Sequence, residues 1–303
     1  MDRPLLAGLL LLLALFQAIP SSASGAPRGG DDTGAEPGAE VARAQVSALA
    51  PAAVQHGGPA EPGTLALVFR DGLVNLPLAG TGTSVLWFGG LTVRDLSLDF
   101  SGIGTEPAPV HDLRSAALHA GAYWQAAPEQ ALLAIVSTGR YADDLHADVP
   151  LSTGGIAVWR WLLGADSRWG LGFSATADLG DPGFVPLIEY AHWDARWTAN
   201  LRLPLEGQVR YWLTEWVSVG GQWLVQGGQY RVTDPGAGLD TARVTAGTLG
   251  AVLAVGRRSG PLLELESGRT LFRRYRALKD GEDVQTLNFA PAAAHALGVA
   301  WRF

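Results

Sequence analysis

The feature that most constrains the fold is a two-residue alternation of apolar and polar side chains. In Trp169–Leu179 the odd positions are apolar, and the even positions are small or polar. Ala195–Leu205 repeats the pattern, with Trp197 and Leu201 on one face and arginines on the other. Because successive side chains of a strand point to opposite faces, these segments are predicted to be β-strands with one apolar face.

Weaker alternation occurs elsewhere, for example where Leu96, Leu98 and Phe100 alternate with polar residues. The pattern by itself fits two architectures. In a soluble sandwich the apolar face is the core, whereas in a membrane barrel it faces lipid.

Three features favour the barrel. Strands of about 9–12 residues match the length needed to cross a bilayer at a tilt. Short and long connections alternate along the chain, as they do between periplasmic turns and extracellular loops. Aromatic residues near strand ends could form interfacial girdles: Trp124, Trp169, Tyr190, Trp193, Trp216 and Tyr230.

We therefore predict an all-β fold, an antiparallel transmembrane β-barrel of about 12 strands with a range of roughly 10 to 14. The barrel is expected over residues 63–303, with long external loops at 139–153 and 273–293. A hairpin between Thr64 and Phe88 could add one or two strands to those counted from Leu91.

The residues before the barrel are predicted to form two segments. Residues 1–24 resemble a secretory signal peptide, with Arg3 before the apolar run Leu5–Ile19 and small residues after it. Residues 25–62 are rich in Ala, Gly and Pro and contain no aromatic residue. Such a composition buries little apolar surface, so this segment is predicted to be a disordered linker.

The C-terminal strand carries a further signal. Leu297, Val299, Trp301 and Phe303 share one face of the last segment with His295. A terminal strand of alternating apolar residues that ends in Phe resembles the assembly signal of outer-membrane barrels. The resemblance implies recognition by the barrel-assembly machinery and contact with outer-membrane lipid.

A broader resemblance covers roughly residues 64–303. It rests on Val185–Ile188, on Trp197 to Pro204, on Val209–Tyr211 and on Gly227–Val232. These strand and turn patterns resemble a family of bacterial outer-membrane β-barrels known only as a domain of unknown function. The resemblance implies the fold and the outer membrane, and it brings no activity or site residues.

Composition excludes several kinds of site. The chain has no cysteine, so disulfides and thiolate metal sites are absent. Its net charge of -7 and lack of a basic aromatic cluster argue against nucleic acid. Asp143, Asp144, His146 and Asp148 lie together but lack the pattern of a calcium loop, and we interpret them as a solvated loop. No cofactor or metal is expected, and the oligomeric state is left open.

An outer-membrane hydrolase is the alternative function, because an acyl-transfer site needs only a nucleophile within reach of a base. No Gly-x-Ser-x-Gly motif occurs. Two of the six histidines are candidates for the base. His119 is expected to point inward, and His192 lies beside a tight turn that contains Asp194.

Charged residues on the polar faces are the remaining signal. The positive candidates for the lumen lie on neighbouring strands, and the negative ones on others: Arg196, Arg202, Arg210, Glu189, Glu264, Glu266 and Asp178. They could form an ion-pair network that fills a narrow barrel, because buried charges require partners. Alternatively, they could line a wet lumen with opposite walls, as in selective pores.

The sequence thus predicts a non-catalytic barrel of the bacterial outer membrane, either structural or a narrow passive pore. A lipid-modifying hydrolase is the first alternative. A surface barrel that binds a partner through its long loops is the second.

Overall fold

The computed structural model describes residues 40–55, 63–81, 84–102, 110–176, 183–234 and 238–302. The predicted signal peptide and the candidates Asp178 and Phe303 lie outside these ranges. The described residues form strands and no helix, and thus contain no helix that could span a membrane.

Fifteen strands follow one another along the chain. Their bounds are β1 Glu40–Gln55, β2 Thr64–Thr81, β3 Val85–Ser101, β4 Asp112–Ala127, β5 Gln130–Ala142, β6 Ser152–Leu162, β7 Ser167–Thr176, β8 Gly183–Trp193, β9 Trp197–Leu203, β10 Glu206–Trp212, β11 Val217–Arg231, β12 Thr241–Gly256, β13 Gly260–Lys279, β14 Glu282–Phe289 and β15 Ala293–Arg302.

The strands close into an antiparallel barrel. Each strand from β1 to β13 pairs with the next, and β15 pairs with both β13 and β1. Strand β14 continues the same line as β15, because it pairs with the far end of β13 and with the end of β1. The two count as one strand of the wall, so the barrel has 14 strands.

The number of strands lies at the top of the predicted range and above the expected value of about twelve. The prediction did not include β1, and it left undecided whether β2 belongs to the barrel. Strand β1 lies inside the segment predicted to be a linker, so that assignment is wrong for Glu40–Gln55. Its composition is poor in large apolar residues, and its order comes from pairing with β2 on one side and β15 on the other.

The two ends of the barrel differ in their connections. At one end, which we call the turn end, consecutive strands are joined by two to four residues, and the chain ends there with β15. At the opposite end, the loop end, most connections are longer, including those between β3 and β4 and between β11 and β12. The predicted alternation of short and long connections is therefore present.

One predicted loop is wrong. Residues 273–293 were expected to form the longest loop, but β13 runs to Lys279 and turns back within two residues. Asp280 and Gly281 both have positive φ angles, 53° and 83°. An Asp-Gly pair with two positive φ angles is the geometry of a tight hairpin turn. The Asp280-Gly281 turn signal is present in the sequence, but the polar residues around it favoured a long loop in the prediction.

The outward face is apolar over the part of the wall nearest the turn end. Leu171 and Phe173 of β7 are 45% and 44% exposed, and Leu297 of β15 is 52% exposed. Exposed aromatic side chains lie at the turn end, including Trp87, Trp124 and Trp216. Trp193 and Tyr230, which were expected in a girdle, instead point inward and are buried.

Near the loop end the polarity of the wall is reversed. Leu67, Phe69 and Leu96 point inward and are fully buried, whereas Arg70 and Asp95 lie outside. The sequence alternates in the same way at both ends, so the pattern itself did not reveal the reversal. An apolar inside and a charged outside are the reverse of the arrangement nearer the turn end.

The inside of the loop end is filled by a hydrophobic core. Its members come from β1 to β4 and from β11 to β15: Leu49, Ala52, Leu65, Leu67, Phe69, Leu96, Leu98, Leu113, Tyr230, Ala242, Val244, Ala246, Tyr275, Ala277, Leu287, Phe289 and Ala294. Phe100 meets Tyr275 edge to face across the interior, at a ring distance of 5.2 Å.

A direct contact between β5 and β11 closes this core on its open side. Ala142 and Arg231 form a parallel bridge, although five strands of the wall separate β5 from β11. Thr233 donates its backbone N–H and its hydroxyl to the carboxylate of Asp143, at 2.9 and 2.7 Å. The side chain of Arg94 on β3 donates to the carbonyl oxygen of Gly227 on β11. These contacts draw opposite walls together at the loop end.

Candidate functional site

The polar interior lies between this core and the turn end, and two clusters of charged side chains dominate it. The Glu189 cluster consists of Glu189 with Arg160, Arg168, Arg202 and Glu206. The Glu264 cluster consists of Glu264 with Arg210, Glu266, Gln222 and Arg43. Both are built from inward positions of strands whose outward positions are apolar, as the alternation requires.

Glu189 is at the centre of the first cluster and is 1% exposed. Arg160 donates to both carboxylate oxygens, through Nε at 2.5 Å and Nη2 at 2.8 Å. Arg202 donates from Nη2 to the same carboxylate at 3.0 Å and from Nη1 to Glu206 at 2.9 Å. A bidentate guanidinium and a second arginine compensate a carboxylate that would be costly to bury alone.

Glycine makes room for this cluster on the neighbouring strand. Gly170 faces inward opposite Glu189 and Arg160. A Cβ at Gly170 would lie 2.8 Å from the side chain of Val158 and 3.3 Å from that of Arg160. A larger residue at this position would therefore displace the guanidinium that holds Glu189.

The second cluster crosses the wall from β10 to β13. Arg210 is 1% exposed, and its guanidinium donates to the carboxylate of Glu264. Gln222 on β11 donates to Glu266 at 3.0 Å. The cavity beside these residues, also lined by Arg43, holds about 10 Å³, which is room for about one water molecule.

The candidate residues predicted from the sequence therefore do not all point into the lumen. Glu189, Arg202, Arg210, Glu264 and Glu266 do point into the lumen, where they form pairs. Arg196 does not. It lies in the turn before β9, and its guanidinium is 3.4 Å from the hydroxyl of Tyr211 on the outward face. The prediction that all three arginines, Arg196, Arg202 and Arg210, line the lumen is therefore wrong for Arg196.

Three arginines of the clusters were not among the candidates predicted from the sequence. Arg160 lies between two tryptophans and Arg168 directly precedes a third, so alternation with aromatic residues was an available signal. Arg43 could not be found, because it belongs to the strand interpreted as linker.

Two carboxylates of the acidic loop accept hydrogen bonds from the chain itself. Asp143 binds Thr233, and the carboxylate of Asp144 accepts the backbone N–H of His146. Among the described residues, no group of three or more His, Asp or Glu side chains could hold a metal ion.

A second polar arrangement lies outside the lumen, on the outward face at the turn end. The hydroxyl oxygen of Ser167 is 2.8 Å from Nδ1 of His192, and Nε2 of His192 is 3.2 Å from the carboxylate of Asp194. The backbone N–H groups of Trp197 and Arg196 donate to the same carboxylate, and they hold the pKa of Asp194 below its usual range. His119, the other candidate base, contacts Asn75.

No family model matches the chain, and no curated protein matches it. The chain resembles solved structures of outer-membrane proteins at low identity. An outer-membrane channel from Pseudomonas putida F1 is 12% identical, with a TM-score of 0.45 over 91% of this chain and 100% of that chain. The translocator domain of the autotransporter NalP from Neisseria meningitidis is 14% identical, with a TM-score of 0.35 over 98% of each chain.

The P. putida toluene transporter TodX is 10% identical, with a TM-score of 0.36 over 87% of this chain and 90% of that chain. Identities of this size carry no activity from those proteins to this chain.

Proposed function

We propose that the chain is a structural β-barrel of the bacterial outer membrane, closed at its extracellular end rather than open as a diffusion pore. The turn end faces the periplasm in this proposal and the loop end faces outwards, in keeping with the usual lengths of such connections. The exposed apolar band near the turn end supports insertion into lipid.

The observation that carries this proposal is the closure of the loop end. The hydrophobic core and the bridge between β5 and β11 occupy the route along the barrel axis. An ion or a polar solute would have to pass side chains such as Phe69 and Tyr275, which are fully buried in the same hydrophobic core. Arg202 and Arg210, which were the candidates for attracting anions, are engaged by Glu189 and Glu264.

The closure is tested by conductance in planar bilayers. Purified, folded protein is expected to show no stepwise single-channel current at moderate voltage, because the core excludes water from the axis. As a positive control, Phe69→Ala with Tyr275→Ala removes two large side chains from the core and is expected to raise the conductance. A wild-type chain that conducts, with an anion preference that falls in Arg202→Ala, would instead establish the narrow pore.

A second candidate function rests on Ser167, His192 and Asp194, which are linked in the order of a hydrolase triad, with the two ring nitrogens of the histidine in exchanged positions. Nδ1 of His192 would take the proton of the Ser167 hydroxyl as the oxygen attacks an ester carbonyl, and Asp194 would stabilise the charged imidazole. The histidine would then return the proton to the departing alcohol, and water would release the acid from the serine. The same residues also stabilise the turn, since Asp194 accepts two backbone N–H groups.

A fluorophosphonate probe separates these two roles. An activated serine would be labelled at Ser167, and the labelling would fall by at least about tenfold in His192→Ala, because the general base is removed. Ser174 is the control, since it lies on the same strand but is buried in the interior. If folded wild-type protein is not labelled, the three residues only stabilise the turn, and the hydrolase function is contradicted.

A further inference from the structure

Two polar side chains face outward within the apolar band, on the last two strands of the wall that meet there. Ser267 on β13 and His295 on β15 are direct cross-strand partners, and both are exposed. Ser267 is the eighth residue of β13 counted from the turn end, and His295 is the eighth residue of β15 counted back from Arg302. About ten residues of a tilted strand cross a bilayer, so this pair lies inside the span.

The outward side chains around the pair are mostly apolar. Leu265 and Leu297 lie next to it towards the turn end, and both are exposed. Leu271 and Phe272 lie towards the loop end on β13 and are exposed as well. Arg269 is the one charged neighbour, and its stem is long enough to carry the guanidinium along the wall towards the edge of the band. The two short polar side chains cannot reach that edge.

The wall itself does not satisfy the pair. Within the described part of the chain, no hydrogen bond engages the hydroxyl of Ser267 or the ring of His295, and the two do not bond to each other. Lipid tails offer no partner either, and a polar group without a partner in hydrocarbon is costly. We therefore expect a polar surface of another molecule to cover the pair in the membrane.

A second copy of the chain supplies a matching surface. Two copies inserted in the same orientation are related by a two-fold axis parallel to the membrane normal, and such an axis preserves height while it exchanges left and right. With the axis between β13 and β15, Ser267 of one copy faces His295 of the other, and the reverse. A hydroxyl can donate to a ring nitrogen or accept from a ring N–H, so both contacts can be hydrogen bonds.

The side chains beside the pair permit close approach of the two walls. The cross-strand neighbour of Ser267 on β12 is Ala251, and that of His295 on β1 is Ala48. Both alanines are exposed. Small residues let membrane-spanning surfaces come close enough for polar side chains to bond across the interface, as they do between helices.

We propose that the outward face of β13 and β15 is the interface of a homodimer in the membrane, with reciprocal hydrogen bonds between Ser267 and His295 at its centre. The inference rests on the proposed function, because it requires the apolar band to lie in lipid. It adds an oligomeric state and the surface that produces it.

The test measures association of the full-length protein in lipid vesicles at decreasing ratios of protein to lipid. Energy transfer between donor and acceptor dyes on the single lysine, Lys279, reports the dimer. Wild type is expected to associate. The double variant Ser267→Val, His295→Leu is expected to associate at least about tenfold more weakly, because two hydrogen bonds in apolar surroundings are lost. Both substitutions make the lipid-facing surface more apolar, so the barrel is expected to fold.

A conservative variant and a variant of the far wall are the controls. Ser267→Thr with His295→Gln keeps a hydroxyl and a donor and acceptor, and it is expected to associate within about threefold of wild type. Leu171→Val with Phe173→Leu changes two exposed residues of β7, about half-way round the wall, and is expected to stay within about twofold. A wild type that is monomeric at every ratio would overturn the inference, and so would equal association of wild type and the Val/Leu variant.

Cross-linking locates the interface without changing the pair. The chain has no cysteine, so a bismaleimide reacts only at a cysteine that is introduced. Ala251→Cys is expected to give cross-linked dimers in vesicles, whereas Leu171→Cys on the far wall is expected to give few. Equal yields at the two positions would show random collision and would contradict the interface.

Failure of the underlying function would look different. Heat-modifiable migration on gels and protease protection in lipid vesicles report insertion, independently of association. A chain that does not insert contradicts the outer-membrane barrel itself, whereas an inserted chain that stays monomeric contradicts only the dimer. Heat-modifiable migration of the variants confirms that a loss of association is not a loss of folding.

Discussion

Leu201→Arg is expected to lower the free energy of unfolding in lipid vesicles by about 2–4 kcal/mol, the cost of an arginine near the centre of the bilayer on a lipid-facing position. Leu201 points outward between the cross-strand partners Tyr190 and Gly207. It lies five positions into the short strand β9, at roughly half the height of the apolar band. A charged group there has neither water nor a carboxylate beside it.

The control is the neighbouring residue on the same strand. Asn200 points into the lumen and is exposed there, so Asn200→Arg is expected to have a much smaller effect. Both variants are measured by urea unfolding from vesicles, with heat-modifiable migration as the criterion of the folded state. If Asn200→Arg were the more damaging change, the apolar face would be an internal core and the membrane assignment would be contradicted.

Glu189→Ala is expected to cost about 3–5 kcal/mol, the usual range when one member of a buried ion pair is removed. Arg160 and Arg202 both donate to this carboxylate, and Arg160 is also buried. Without Glu189, the guanidinium groups of the cluster lose their main compensating charge in the interior. The free energy of unfolding, measured at constant lipid composition, provides the magnitude.

The exposed pair of Asp283 and Arg276 is the comparison for that experiment. Its carboxylate is 40% exposed, and the hydrogen bond from Arg276 holds the pKa of Asp283 below its usual range. Asp283→Ala is expected to change the free energy of unfolding by less than about 1 kcal/mol, because water screens the pair. Similar small effects of both substitutions would show that the Glu189 cluster is hydrated and not part of a packed interior.

The local sequence pattern was sufficient to predict which side chains share a face where a strand has one apolar and one polar face. Leu171 and Phe173 do point outward, and Gly170 and Ser174 do point inward, as the alternation predicted. Leu297 and Val299 of the last strand, β15, also point outward and are exposed. In these strands one shift of register would turn the whole apolar set into the lumen, so the side-chain period places that whole set on one face.

Where the two faces of a strand differ little in polarity, the strand could be recognised only from the strands that pair with it. Strand β1 is rich in Ala and has few large apolar residues, with Arg43, Ser47 and Leu49 on its inward face. Its own composition resembles that of a disordered segment, and the free energy that orders it comes from two long-range neighbours. The full count of strands was therefore beyond reach of the local pattern.

The sequence by itself determined that the chain is an antiparallel barrel, because the two-residue period and the spacing of turns are local properties of the chain. Only the tertiary structure decided what lies inside it. Leu96 and Leu201 belong to equally apolar faces, yet one is in the core of the loop end and the other faces outward, because the contact between β5 and β11 encloses the first. The partner of Arg210 is Glu264 on β13, three strands along the wall, so this pairing depends on how the wall curves and not on any single strand.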